Sequence, residues 1–197
     1  MNFIKLKNPK TDLYLDFKNL ILSSQFNWIY DGTVDPRLET PGDEYGGPMM
    51  YSHQLLARPA SDILFSLPTS QQLETFNNVI VQIFNHNNFR WNDFSVMLRA
   101  SVNAVNPRVG KVKYCIPHQD HQFPHKNMLI YLTDAGGSTF CEGEEYAPEE
   151  DDIVIFQGQH WHEIPKLKRR VVLVMTYISS NQKQTIDSRS MNIKNEI

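Results

Sequence analysis

The segment Pro117-His118-Gln119-Asp120 sets an imidazole and a carboxylate two residues apart. In extended backbone, residues i and i+2 project to one face. His118 and Asp120 therefore offer a nitrogen and an oxygen donor to a single point. A further histidine, His162, follows 42 positions after Asp120. Two imidazoles and one carboxylate suit Fe(II) and leave positions open for oxygen and a co-substrate. By itself the His-x-Asp pair is weak, because a chain with seven histidines can contain one by chance and a surface turn explains it equally well. His160 shares a strand face with His162 and competes with it as a ligand. His121 and His125 read as pocket-rim or loop residues, and Trp161 should point away from the metal side and pack.

Strands must carry these residues. Ser95–Val102, Lys111–Ile116, Asn127–Thr133, Ser138–Cys141, Asp152–Phe156 and Arg170–Ile178 are short, apolar or β-branched, and separated by turn signals such as Asp134-Ala135-Gly136-Gly137. This pattern predicts an antiparallel barrel or jelly roll. One helix precedes it. Leu73, Phe76, Ile80 and Phe84 fall on one face, and Thr69 with Gln72 reads as a capping box. The helix would cover one sheet. Before it the chain reads as irregular, with a long loop marked by Gly42, Gly46, Gly47 and Pro48. The expected organisation is a single domain over 1–197, with N-terminal support in 1–92, the β core in 93–178 and a polar tail in 179–197.

The chain has 197 residues, 41% hydrophobic and 21% charged, enough for one buried core. Its net charge of −3 supplies no general basic field and argues against a dedicated nucleic-acid binder. No stretch reads as a signal-peptide core or reaches membrane-spanning length. Cys115 and Cys141 form no Cys-x-x-Cys pair and read as reduced thiols of a cytoplasmic protein. The acidic run Glu142–Asp152 reads as a solvated hairpin, or alternatively as a lip that attracts a basic peptide.

Taken in order, His118-x-Asp120, Ile130–Thr133, Gly136–Phe140, Asp152–Phe156, His162-Glu163-Ile164-Pro165 and Arg170–Tyr177 resemble the prolyl-hydroxylase-like branch of the 2-oxoglutarate and Fe(II)-dependent oxygenases, most of all its short bacterial and phage members. The resemblance covers about 94–178. It implies a mainly β fold, a double-stranded β-helix with flanking helices and the long helix on one sheet. It also implies Fe(II) held by His118, Asp120 and His162, with 2-oxoglutarate and O2 as co-substrates. Arg170, eight residues after His162, would hold the distal carboxylate of 2-oxoglutarate through a bidentate fork. Arg169 is its competitor. If Arg170 points inward, so do Val172, Val174 and Thr176. Tyr131 would contact the co-substrate, or else be a core tyrosine. Arg99 and Asn103 lie on a strand that approaches the substrate, although Arg99 could instead pair with the acidic loop. The implied reaction hydroxylates a C–H bond while 2-oxoglutarate becomes succinate and CO2. Peptidyl proline is the leading substrate, entering under the Gly42–His53 and His121–Lys126 loops. Nucleobase demethylation is disfavoured by Thr176, where a second arginine would stand. The alternatives are an oxygenase acting on a small molecule and a cupin-like or degraded metal-binding barrel without oxygenase activity.

Overall fold

The computed structural model describes residues 2–33, 49–58, 66–89, 94–107 and 112–179. The loop read at Gly42–Pro48, Lys111 and the tail from residue 180 lie outside them. Ten strands and two helices follow in the order β1 (Ile4–Leu6), α1 (Asp12–Leu22), β2 (Ile29–Thr33), β3 (Met49–Leu56), α2 (Gln72–His86), β4 (Val96–Val105), β5 (Lys126–Tyr131), β6 (Thr139–Cys141), β7 (Glu144–Tyr146), β8 (Ile153–Phe156), β9 (His160–His162) and β10 (Arg170–Ile178). Seven strands form one antiparallel sheet, ordered β1-β8-β5-β10-β4-β3-β2. The other three form a small sheet, β7-β6-β9.

Alternation along β10 sorts the large sheet into two faces. Val171, Leu173, Met175 and Tyr177 join Ala100, Val102, Met128 and Ile130 in the core under the helices. Val172 and Val174 join Leu129, Tyr131, Val154 and Phe156 in a second cluster on the opposite face. That second face, together with β9, encloses a cavity of about 490 Å³.

Helix α2 forms where its spacing predicts, but Thr69 does not cap it. The Thr69 hydroxyl donates to the Gln54 carbonyl, and Ser70 Oγ accepts from the Gln72 amide. A lost cap costs about 1 kcal/mol. Burying Phe76, Val79, Ile80, Ile83 and Phe84 stabilises by about 1.5–3 kcal/mol each, so packing decides the helix. The stretch read as irregular contributes more than support. It holds α1, capped by Thr11, whose Tyr14, Phe17 and Ile21 enter the same core, and it adds three strands to the large sheet. The strand read at Lys111–Ile116 reduces, over its described part, to an isolated bridge between Tyr114 and Glu163.

The acidic run is not a free lip. Asp151 is held by Lys18, Lys10 and Tyr14, Asp152 by Lys5 and Tyr146, and Glu150 by Lys18. Glu144 accepts from the Asn2 amide. These four carboxylates clasp the N-terminal segment to the β core, while Glu142, Glu145 and Glu149 stay exposed on and beside the β6–β7 hairpin.

Candidate metal centre and co-substrate cavity

His118 stands just outside regular strand, bridged to β9 by backbone hydrogen bonds with His160 in both directions. His160 and His162 lie two apart on β9 and face the same cavity. The donor nitrogens of these three histidines lie within 4.8 Å of one another. Each ring has its Nδ1 engaged elsewhere: His118 with the Ile116 carbonyl at 2.9 Å, His160 with the Gly158 carbonyl at 3.2 Å, and His162 with Thr139 Oγ1 at 2.9 Å. Such outer partners select the tautomer that turns an Nε2 lone pair toward a metal. Burial pushes His160 down to about 4 and His162 well below its ordinary value, the latter reinforced by the Arg170 charge. Both rings are therefore neutral near pH ~7 and able to donate a lone pair.

Asp120 adjoins this group. Its Oδ1 accepts from Arg58 Nη2 at 2.9 Å and from Arg99 Nη1 at 2.8 Å, while Oδ2 lies 3.7 Å from His160 Nε2. Burial raises its pKa, but Arg99, His160 and Arg58 outweigh that and hold the carboxyl below the ordinary range. Arg99 thus pairs with Asp120 and not with the acidic run. Arg58 was not singled out from the sequence. It lies 62 residues from Asp120, and no spacing rule connects the two.

Arg170 begins β10, is buried, and lines the cavity with Val172 and Val174. Nη1 donates to the Glu163 carbonyl at 2.9 Å, and no carboxylate among the described residues pairs with the guanidinium. Arg169 points the other way, donating to Asn106 Oδ1 and lying over the Tyr51 ring. Tyr131 is buried on the cavity face of β5, its hydroxyl 2.6 Å from Thr139 Oγ1. Thr139 therefore joins Tyr131 to His162. Register places it there, since Thr139 pairs with His162 across β6 and β9. Gly137 permits the approach: its φ is +95°, and a Cβ would sit 2.8 Å from the Glu163 carbonyl oxygen.

The remaining histidines are less peripheral than the sequence suggests. His121 is buried with Nε2 2.8 Å from Thr176 Oγ1, and His125 is buried beside it. Trp161 stacks on Phe140, away from the imidazole group. Cys115 is outside any disulfide, lines the cavity and accepts from the His162 amide, so its position is part of the site.

Among solved structures, the chain is similar to an oxidoreductase of the 2OG-Fe(II) oxygenase family from Burkholderia pseudomallei. The identity is 12% and the TM-score 0.62, over 90% of this chain and 85% of that one. The fold is that of the 2-oxoglutarate and Fe(II)-dependent oxygenases. A prolyl-4-hydroxylase from Pseudomonas putida matches at 11% identity and TM-score 0.51, covering 90% of this chain and 92% of that one. A prolyl hydroxylase from Trichoplax adhaerens, solved with a hypoxia inducible factor peptide fragment, matches at 12% and 0.51, covering 90% and 83%. No protein-family model and no curated protein sequence matches. Within this oxygenase fold, the donors present fit the implied groups. Neutral imidazoles beside a carboxylate suit Fe(II), and a buried arginine that pairs with no described carboxylate suits the far end of a dicarboxylate. No described helix is long and apolar enough to cross a membrane.

Proposed function

We propose that the protein is a non-haem Fe(II) and 2-oxoglutarate-dependent dioxygenase that hydroxylates a C–H bond, with a peptidyl residue such as proline as the leading substrate. One observation carries the reading: within this fold, converging imidazoles and a buried Arg170 that pairs with no carboxylate among the described residues line the same cavity. The peptide reading draws on the Trichoplax neighbour, which is a prolyl hydroxylase solved with a peptide. A reducing, cytoplasmic setting agrees with two buried cysteines outside any disulfide.

Fe(II) would be held by His118, Asp120 and His162. Asp120 can ligate through Oδ2 while Arg58 and Arg99 fix Oδ1. A second set exchanges Asp120 for His160, and the convergence of one ring nitrogen from each of the three histidines favours it. When bound, the iron and 2-oxoglutarate would harness O2 as the oxidant, one oxygen atom going to succinate and the other into the substrate C–H bond. The chain supplies the geometry. Arg170 anchors the distal carboxylate and Tyr131 flanks it. Leu129, Val172, Val174 and Phe156 give the same cavity a dry wall that keeps solvent from the reacting centre.

The test is mass spectrometry on a panel of peptides and metabolites with Fe(II) and 2-oxoglutarate. The reading expects a product carrying one added oxygen and stoichiometric succinate. A metal-binding barrel without oxygenase activity would give neither with any substrate. Metal affinity of Asp120→Ala and His160→Ala decides between the donor sets: the true ligand's loss weakens binding at least about tenfold, the other's less.

A further inference from the structure

Arg58, just past the end of β3, and Arg99, within β4, converge on one oxygen of Asp120 at 2.9 and 2.8 Å. Each uses a single terminal nitrogen for that contact, and neither guanidinium makes another hydrogen bond to a described residue. A guanidinium fork offers further donors in a fixed plane, which match a second carboxylate. Arg58 is half exposed and Arg99 mostly buried, so the pair runs from the solvent side into the cavity that both line.

Asn127 gives independent evidence of a ligand here. It is 1% exposed, lines the same cavity, and neither its amide oxygen nor its amide nitrogen has a hydrogen-bond partner. Buried amides are ordinarily satisfied, and an orphaned one facing a cavity marks a binding group. Register places it beside the arginine, because Arg99 and Asn127 both pair with Thr176 of β10, one from each side.

Charge points the same way. The described lining holds three guanidinium groups, Arg58, Arg99 and Arg170, against one carboxylate, Asp120. A divalent metal and the two carboxylates of 2-oxoglutarate cancel each other, and Asp120 offsets one arginine, with the exposed Asp31 acting more weakly on Arg99. Positive charge is left over at the Arg58/Arg99 end.

We infer that Arg58, Arg99 and Asn127 form a second anion subsite that binds a carboxylate of the substrate and so positions its C–H bond. The inference rests on the reading under Proposed function and sharpens its substrate class to carboxylate-bearing molecules. That carboxylate could be the α-carboxylate of a free amino acid or an acidic side chain beside the target residue in a peptide.

The experiment uses the full chain with Mn(II) and saturating 2-oxoglutarate, and reads paramagnetic broadening of probe proton NMR signals. The probes are the free L-amino acids, their carboxamides, and end-capped peptides carrying Pro-Asp or Pro-Asn. The inference expects at least one acid to bind about ten- to a hundredfold more tightly than its amide, the range for a lost charge-assisted hydrogen bond. It expects Arg58→Gln to abolish most of that preference at Mn(II) and 2-oxoglutarate concentrations that saturate the variant, the metal itself binding more weakly there because Arg58 also fixes Asp120. Arg58 is half exposed, so this variant avoids the folding risk of Arg99→Gln. Preference confined to free amino acids identifies the α-carboxylate as the source; preference for Pro-Asp over Pro-Asn identifies a peptide side chain. Acids and amides binding alike, no probe binding at all, or a preference unchanged in Arg58→Gln would each overturn the inference. Failure to bind Mn(II) or 2-oxoglutarate would instead strike at the oxygenase reading itself.

Discussion

Thr139 holds no metal, yet its hydroxyl stands between the Nδ1 of His162 and the hydroxyl of Tyr131. If His162 Nδ1–H donates to Thr139 Oγ1, the threonine hydroxyl can donate to Tyr131, whose own proton is then free to point at an anion beside Arg170. One side chain thus sets the histidine tautomer and the polarity of the co-substrate end. Thr139→Val keeps the shape and removes the relay. Its predicted effects are a metal affinity lowered about ten- to a hundredfold, measured by Co(II) titration, and a weaker grip on 2-oxoglutarate. Unaltered affinities with an intact fold would show that Thr139 is packing alone. The sequence showed Thr139 only as part of Gly136–Phe140. Its role depends on the strand register with His162, 23 residues away, and that register is not readable from spacing.

At the scale of elements, the clasp between α1 and the turn before β8 is the clearest electrostatic device. Lys18 and Asp151 are both largely buried, and removing one partner of such a pair costs about 3–5 kcal/mol. Lys18→Met should lower stability by about that much in chemical denaturation without altering metal binding. The pH dependence follows from the direction of the shifts. Burial raises the Asp151 pKa, but hydrogen bonds from Lys18, Tyr14 and Lys10 outweigh it, so the folded value is depressed. Its contribution is complete above the unfolded carboxylate value of about 3.9 and is lost as pH falls through the lower folded value. Asp152 behaves alike. Lys18 is the reverse case: burial lowers its pKa, but Asp151 and Glu150 raise it further, so its contribution holds below about pH 10.4 and disappears at higher pH. The stability gap between wild type and Lys18→Met should therefore be full near neutral pH and narrow as pH falls below about 3.9. A gap that does not change with pH would contradict the clasp. Gly137→Ala is a second element-scale case. Positive φ and a 2.8 Å approach to the Glu163 carbonyl make it strained by about 1–3 kcal/mol, readable as a lowered melting temperature.

For the whole molecule, β4, β5, β6, β8 and β10 were legible as short apolar or β-branched runs between turn signals, whereas β7 and β9 are three-residue segments without such a pattern. Alternation left Arg170 and Arg169 open, because both faces of β10 are buried, and the resemblance favoured Arg170. Helix α1 carries an equally regular apolar spacing, Leu13, Tyr14, Phe17, Leu20 and Ile21, and could have been read. Strands β1 and β2 could not, being short segments stabilised by pairing with β8 and β3, not by their own pattern. The acidic run shows the limit of charge patterning: its partners, Lys5, Lys10 and Lys18, lie more than a hundred residues earlier, and only the fold brings them together. A net charge of −3 likewise conceals a cavity whose charged lining residues are mostly arginines.

The central claim is that metal and 2-oxoglutarate bind together in this cavity, with Arg170 holding the far carboxylate. Calorimetric titration of 2-oxoglutarate into protein loaded with Mn(II) tests it most directly. The account predicts one bound equivalent that requires the metal, is weakened about ten- to a hundredfold by Arg170→Gln, and is unaffected by Arg169→Gln. Absence of binding, or binding indifferent to both the metal and Arg170, would contradict it.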